Sequence, residues 1–471
     1  MADNQTPSIW YKLLIQYPSE WNEVIYYLYG DQIRSLILED EFEHIRRSLD
    51  RCFPWSDGRS LEIKGIINQI GGFPPWPKDG SSALESFMDF RKISFSDNTA
   101  FTDLILIGAN FEKATFEGWS DFQNTTFLGL THFDKVKFTG IRSSPAKKHS
   151  IVSFENSIFE HTVYFDQASL PRTFKFESTY FKGAAYFRKT EFHSHDFGSV
   201  SFNNAKFKSV CDFTSASINS DIEFKTTEFC DNTRFVETSF KSNVNFSGAK
   251  FKNTTSFRKA KFDKMPKFFE TEVHEDVDFS NVNWDDAEYC YSQFMRFKHK
   301  KEYDIFLEEV ENAIRAWDRL ALIMGEQEKL HERHAFFRRR MRAERVRDGK
   351  WAISSIANKF YELLSDYGWG AGSAFFWWAG HIIVFALILF CVNIALDNSS
   401  LEHLKLFGGS LLASFSNSLS FLGLTDIHLQ SVHSMFEGQL VYSIIGTIQA
   451  ILGPVFLFLL LLTLRNRFRM K

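Results

Sequence analysis

Only five cysteines stand among the 471 residues, Cys52, Cys211, Cys230, Cys290 and Cys391, and no two of them have CxxC spacing. That scarcity argues against a disulfide framework and against a thiolate zinc site, and it fits packing residues of a reducing compartment. The histidine pairs His331/His334 and His193/His195 have no carboxylate or cysteine set beside them to complete a coordination shell, so no metal is expected. There is no P-loop, no GxSxG, no HExxH and no Cys/His pair in a credible frame, so neither catalysis nor a cofactor is expected. Charge of one sign is also missing: 54 Lys and Arg stand against 58 Asp and Glu, a net charge of -4. The chain as a whole therefore reads neither as a nucleic-acid binder nor as an acidic tail protein. The first ten residues hold Asp3, Asn4 and Gln5 and no apolar stretch, so no cleavable secretion signal opens the chain and the amino end is expected in the cytoplasm.

What the chain has in excess is phenylalanine, 53 residues of it, which demands an architecture that consumes Phe at a regular rate. Phe202, Phe213, Phe224, Phe235, Phe246, Phe257, Phe268 and Phe279 follow one another at intervals of 11. A second register, Phe207, Ile218, Phe229, Phe240, Phe251, Phe262, Val273 and Trp284, interleaves with the first, so large apolar residues alternate at steps of five and six. Earlier blocks repeat the rule through Phe111, Phe116, Phe122, Phe127, Phe133 and Phe138, and again from Phe154 to Phe192, with 139–152 reading as an inserted loop. Small residues such as Ala114, Thr125, Ala168, Thr179, Ala205, Ala216, Thr227 and Ala249 sit two positions before one Phe set, as a tight coil corner requires. Steps of five and six match neither a helix nor an alternating strand; a stacked coil accommodates them.

On these residues the stretch from about 90 to 284 resembles the bacterial pentapeptide-repeat family, in which Phe occupies the inward central position. The resemblance implies a mainly β solenoid, a right-handed quadrilateral β-helix with two 11-residue units per coil. About nine coils at roughly 4.8 Å each give a rod on the order of 40 Å long. Its stability would come from continuous aromatic ladders, and its open ends would need covering by the N-terminal unit and by the helices after Trp284. Some members of that family mimic an acidic duplex. Residues 90–284 carry 25 Lys and Arg against 24 Asp and Glu, so DNA mimicry is not expected and no nucleic-acid partner is assigned.

Four segments result: an N-terminal helical cap domain at 1–88 of no recognisable chemistry, the β-helix at 89–289, a helical hairpin and juxtamembrane connector at 290–372, and a transmembrane domain at 373–471. In the cap, Ile33, Leu36, Ile37, Phe42 and Ile45 have the spacing of short amphipathic helices. In the connector, Ala313, Trp317, Leu320 and Met324 keep helical spacing, Gly325 interrupts it, and Leu330, Phe337 and Met341 resume it. The run from His334 to Arg345, followed by 364–368, resembles the connector that joins such repeats to a membrane domain in bacterial channel-like proteins. Its arginines from Arg338 to Arg347 either contact anionic headgroups, transmit force from the cytoplasmic rod, or form a solvated cytoplasmic helix.

Residues 374–396 and 440–464 are each apolar enough, and long enough, for a helix that crosses a lipid bilayer. Arg338, Arg339, Arg340, Arg342, Arg345, Arg347 and Lys350 precede the first span, and Arg465, Arg467, Arg469 and Lys471 follow the second, whereas the connection offers only Lys405. By the positive-inside rule both termini face the cytoplasm, as in a multi-pass protein of the bacterial inner membrane.

Between the spans, residues 404–422 are moderately apolar yet too short and too polar to cross. Helix, re-entrant segment at about 404–426 and helix resemble the two-transmembrane ion-channel family. That resemblance implies a tetramer around a central pore, a pore helix at 407–415, and a filter region containing Ser418, Ser420, Phe421, Gly423, Thr425 and Asp426. A potassium filter needs TVGYG-like loops, which this segment lacks, so the resemblance extends to a wider, hydrated, weakly selective path with Asp426 favouring cations at its mouth. An amphipathic helix in the outer interface is the competing reading of the segment. In the second span, Gln449 is either pore-facing or a helix-helix hydrogen-bond partner, and Gly453 and Pro454 form either a hinge or an ordinary membrane-helix irregularity.

The expected function is thus an oligomeric channel-like membrane protein whose repeat domain senses or docks an unknown cytoplasmic partner. A membrane-tethered scaffold that conducts nothing, and a membrane-depolarising effector in bacterial antiviral defence, are the alternatives.

Overall fold

The computed structural model describes residues 9–36, 57–71, 73–75, 87–96, 98–139, 151–170, 173–193, 199–284, 300–349, 351–396, 403–419 and 440–468. The chain divides into two units, Met1–Tyr289 and Cys290–Lys471.

Among the described residues of the first unit, 33 strands of two or three residues form four parallel sheets of nine, nine, seven and eight strands. Each sheet is one face of a solenoid that covers residues 88–284. Phe207 pairs with Phe229 and Phe229 with Phe251, so one coil is two 11-residue units, as the interleaved registers require. The rings of both registers point inward and are buried. They stack face to face along the coil axis: Phe187 to Phe213 at 4.6 Å, Phe213 to Phe235 at 5.2 Å, Phe229 to Phe251 at 4.8 Å. Across the core the ladders meet edge to face, as between Phe213 and Phe224 at 5.9 Å, a pairing that the ring quadrupole favours. The Phe127–Phe159 and Phe181–Phe207 pairings keep this stack in register although their partners stand further apart in sequence than the 22 residues of Phe207–Phe229.

Two local devices sustain the coil. Two residues after each first-register Phe the backbone turns into the left-handed region, at Asn124, Lys189, Asn204, Ser215, Thr226, Glu237 and their equivalents. These are type II-like turns, with Ala216 N donating to Phe213 O at 3.0 Å. The conformation costs a non-glycine residue about 1–2 kcal/mol. Hydrogen bonds to the next coil help to offset it, such as Ser215 N to Val236 O at 2.8 Å and Thr226 N to Ser247 O at 3.0 Å. The second device is the small residue before each second-register ring. Where it is Thr, its buried hydroxyl donates to the carbonyl of a first-register Phe one coil earlier: Thr179 to Phe154, Thr190 to Phe165 and Thr227 to Phe202 all at 2.7 Å, and Thr238 to Phe213 at 2.8 Å.

The helices α1 (Ile9–Gln16) and α2 (Trp21–Leu36) close one end of this solenoid; α3 (Asp57–Ile70) completes the cap. Strand β4 (Ile105–Ile107) is the edge of its sheet, and its open backbone groups are taken by α2. Trp21 Nε1 donates to Ile105 O at 2.9 Å, and Ile105 N donates to Asn22 Oδ1 at 2.9 Å. An edge that would otherwise invite another strand is thereby blocked. The amphipathic spacing at Ile33 and Leu36 falls in α2; Ile37, Phe42 and Ile45 lie outside the described residues.

In the second unit, α4 (Lys300–Glu326) and α5 (Leu330–Asp348) form the hairpin expected around Gly325. Trp317 stacks on Phe336 at 5.7 Å, and Arg340 reaches Asp318 at 2.7 Å. Then follow α6 (Ile353–Ser365), α7 (Ala371–Leu396), α8 (His403–Ser418) and α9 (Leu440–Phe468). Of these, α7 and α9 are long and apolar enough to cross a membrane, and they make this a membrane-associated repeat protein. The helix expected at 407–415 extends through a further turn at its start and ends at Ser418.

Candidate functional site in the membrane unit

Helix α8 lies in the groove between α7 and α9, antiparallel to α7. Phe407 meets Phe390 at 5.6 Å, Ser414 Oγ donates to Ile382 O at 2.7 Å, and Phe415 meets Trp378 at 6.4 Å. Residue numbers thus rise along α8 as they fall along α7. Ile382 stands eleven residues into α7, about 16 Å along its axis, which is close to half of the about 30 Å hydrocarbon thickness. Helix α8 therefore runs to about the middle of the α7/α9 pair.

At that depth polar side chains gather. Ser410, Ser414, Ser416, Asn417, Ser418 and Gln449 are all buried. The Gln449 amide donates to Ser414 O at 2.8 Å and to Ser414 Oγ at 2.5 Å, a hydrogen bond between α9 and α8. Among the described residues, Gln449 Oε1, Ser416 Oγ, Asn417 Nδ2 and His381 Nε2 are buried without a hydrogen-bond partner. In an apolar surrounding a buried polar atom left unpaired costs on the order of 1–3 kcal/mol.

Gly453 explains how α8 comes so close to α9. A Cβ at this position would lie 2.3 Å from Ser418 O and 2.6 Å from Ser418 Cα, so only glycine admits the end of α8. Pro454 sits inside α9 immediately after this contact, where it withholds one backbone donor. One helical turn before Gln449, Gly446 faces Asn417, whose Nδ2 would be 3.4 Å from an added Cβ.

Of the residues expected to form a filter, Ser418 is buried at the end of α8 with its hydroxyl donating to Phe415 O at 2.8 Å. Ser420, Phe421, Gly423, Thr425 and Asp426 lie outside the described residues. The sequence reading passed over Ser410 and Ser414. Their spacing of four on the face that also carries Asn417 and Ser418 was the available signal.

The connector joins this region to the hairpin through a compact elbow. Asp366, Tyr367 and Gly368 all have positive φ, and Ser365 O accepts from Gly368, Trp369 and Gly370 at 2.8–3.0 Å. Asn466, near the end of α9, donates to Gly368 O at 2.9 Å, so the start of α7 and the end of α9 share one level. The arginines of α5 turn to acids of the same unit: Arg338 to Asp366 at 2.9 Å, Arg342 and Arg345 to the two oxygens of Glu362 at 2.8 and 2.6 Å. Burial alone would raise the Glu362 carboxyl, but the hydrogen bonds from Arg345 and Arg342 outweigh it and hold the group below the usual carboxylate range. His334 is buried against Trp369 at 4.4 Å, and its Nε2 donates to Asp366 O at 3.1 Å. Burial, with the Arg338 cation nearby, lowers its pKa to about 4.

Comparison with protein-family models, with curated proteins and with solved structures returns no match for this chain.

Proposed function

We propose that the second unit is the pore-forming part of a weakly selective, homo-oligomeric and most simply tetrameric ion channel, and that the solenoid is its cytoplasmic sensing or docking domain. The observation that carries this reading is the course of α8. A helix that runs to mid-depth between two spanning helices and ends in buried Ser416, Asn417 and Ser418 has the architecture of a pore helix delivering polar groups to a central path. One chain cannot enclose such a path, since two spanning helices and one half-span leave it open on a side; several copies can. The polar atoms at the same depth that have no partner among the described residues fit a water-filled path better than a dry helix bundle.

The proposed orientation places the elbow, the arginine hairpin and the solenoid in the cytoplasm, with Asp426 at the outer mouth, and the membrane as the bacterial inner membrane. No chemistry of bond making is assigned to any part of the chain. The solenoid surface offers inter-coil ion pairs of both signs, among them Lys182–Glu160 at 2.9 Å and Lys259–Glu237 at 3.1 Å, so it suits a protein partner better than a polyanion.

Mass measurement of the purified protein in detergent tests the assembly. A particle of four 54.8 kDa chains supports the channel, and a strict monomer removes it and leaves the tethered scaffold.

A further inference from the structure

Helix α6 is amphipathic the wrong way round. In a helix of a water-soluble domain the apolar stripe packs inward and the polar face meets solvent. Here Ser355, Asn358 and Ser365 are buried, and Glu362 is fixed by the two α5 arginines. Ser355 Oγ donates to Arg345 O at 3.2 Å, Asn358 Nδ2 to Met341 O at 2.7 Å, and Tyr367 OH to Asn358 Oδ1 at 2.7 Å. The polar face is thus the one held by the protein. Ile353, Ile356, Phe360 and Leu363, spaced three, four and three apart on the other face, are 86%, 41%, 56% and 53% exposed.

The level of this stripe is set by its neighbours. Trp377, two turns into α7, donates from Nε1 to Leu363 O at 3.2 Å, so α6 ends beside the first turns of a spanning helix. The exposed Phe375 and Phe376 continue the apolar surface from α6 onto α7 without a gap in sequence position larger than the elbow. Lys359 is exposed at the margin of the stripe, where a long basic side chain can rest its stem on apolar surface and lift its ammonium to a phosphate. Arg465 is exposed near the end of α9, which Asn466 ties to the same elbow.

We propose that α6 lies in the headgroup boundary of the bilayer, on the side where α7 begins and α9 ends, with its Ile353–Ile356–Phe360–Leu363 stripe among the upper acyl carbons. The occupant of this face is lipid: the stripe is continuous with the lipid-facing surface of α7, and its margin carries cations that suit anionic headgroups. The polar face then hands any tilt of the α4–α5 hairpin to the elbow, and the elbow to both spanning helices. The inference rests on the reading that α7 and α9 cross the membrane.

The test uses the full-length chain, with its native cysteines replaced by alanine, reconstituted in phosphatidylcholine–phosphatidylglycerol vesicles. An environment-sensitive fluorophore is placed at Phe360→Cys, at Leu363→Cys as an independent stripe position, and at Ile383→Cys within α7. Lipids bearing a nitroxide near the headgroup or near the chain end serve as quenchers. The stripe labels should be quenched at least about twofold more strongly by the shallow nitroxide than by the deep one, as an interfacial depth requires, and the α7 label should favour the deep one. Quenching at Ile383→Cys with none at either stripe position overturns the proposal while leaving the spanning reading intact, and blue-shifted but unquenched stripe labels would assign the face to a second copy of the chain. No quenching at any of the three positions overturns the spanning reading itself.

Discussion

Gln449 on α9 donates to both the backbone oxygen and the hydroxyl of Ser414 on α8, and Ser414 in turn donates to Ile382 O on α7. One serine thereby joins three helices at mid-depth of the membrane unit. Ser414→Ala removes two of these bonds, and Gln449→Leu removes the α9 arm alone. Each is expected to lower stability in detergent by roughly 1 kcal/mol, with the double variant less than additive because the two share a network. Thermal unfolding followed by size-exclusion chromatography checks this; full additivity would mean that the groups act independently.

Gly453 is expected to tolerate nothing larger. Gly453→Val forces Ser418 away from α9, since even a Cβ would fall 2.3 Å from its carbonyl oxygen. Pro454→Ala restores a donor without adding bulk and should be mild. Cysteine cross-linking between Ser418→Cys and α9 positions, compared across the two backgrounds, reports the separation. Equal cross-linking in both would contradict the close approach.

In the solenoid, Phe224→Ala opens a cavity between Phe202 and Phe246, which stack on it at 5.1 Å from either side. The expected cost is about 3–5 kcal/mol, felt first in the adjacent coils because each coil contacts only its neighbours. Thr227→Val keeps the shape and deletes the hydroxyl bond to Phe202 O, at about 1 kcal/mol. Hydrogen exchange by mass spectrometry resolves both effects: protection should fall around residues 200–250 and persist near the α2-capped end.

Much of this was readable from the chain. The 11-residue spacing of Phe202 to Phe279 dictates a coil, and the two apolar runs dictate two helices long and apolar enough to cross a membrane. The buried small residues were expected as space-savers, and the hydroxyl ladder of Thr179, Thr190, Thr227 and Thr238 was not, because its acceptors lie 25 residues away and only the stack brings them near. Left-handed turns at Lys189 or Glu237 leave no local mark, since the pairing between coils imposes them on whatever residue stands there. The arginines of α5 offered a choice between lipid, force transmission and water. They are bound instead by Asp318, Glu362 and Asp366, partners that no local pattern connects to them. Gly453 looked like an ordinary membrane-helix glycine until Ser418 came to lie against it.

The connector should be acid-sensitive through His334. Its folded pKa, about 4, lies below the ordinary value of 6.5, so between these values the unfolded chain takes up a proton that the folded chain refuses. Stability of the hairpin and elbow is therefore undiminished above pH about 6.5 and falls as pH drops toward about 4. His334→Gln should flatten that part of the profile, measured by the melting temperature of the detergent-solubilised protein between pH 7 and pH 4 (roughly the window set by the two values). An unchanged slope in the variant would show that other groups govern it.

Conduction is the central claim, and recording from the purified full-length protein in planar bilayers tests it most directly. The account predicts stepwise currents of weak cation preference, reduced in that preference by Asp426→Asn and altered in amplitude by Gln449→Leu. Bilayers that stay silent after verified incorporation of folded oligomer would contradict it.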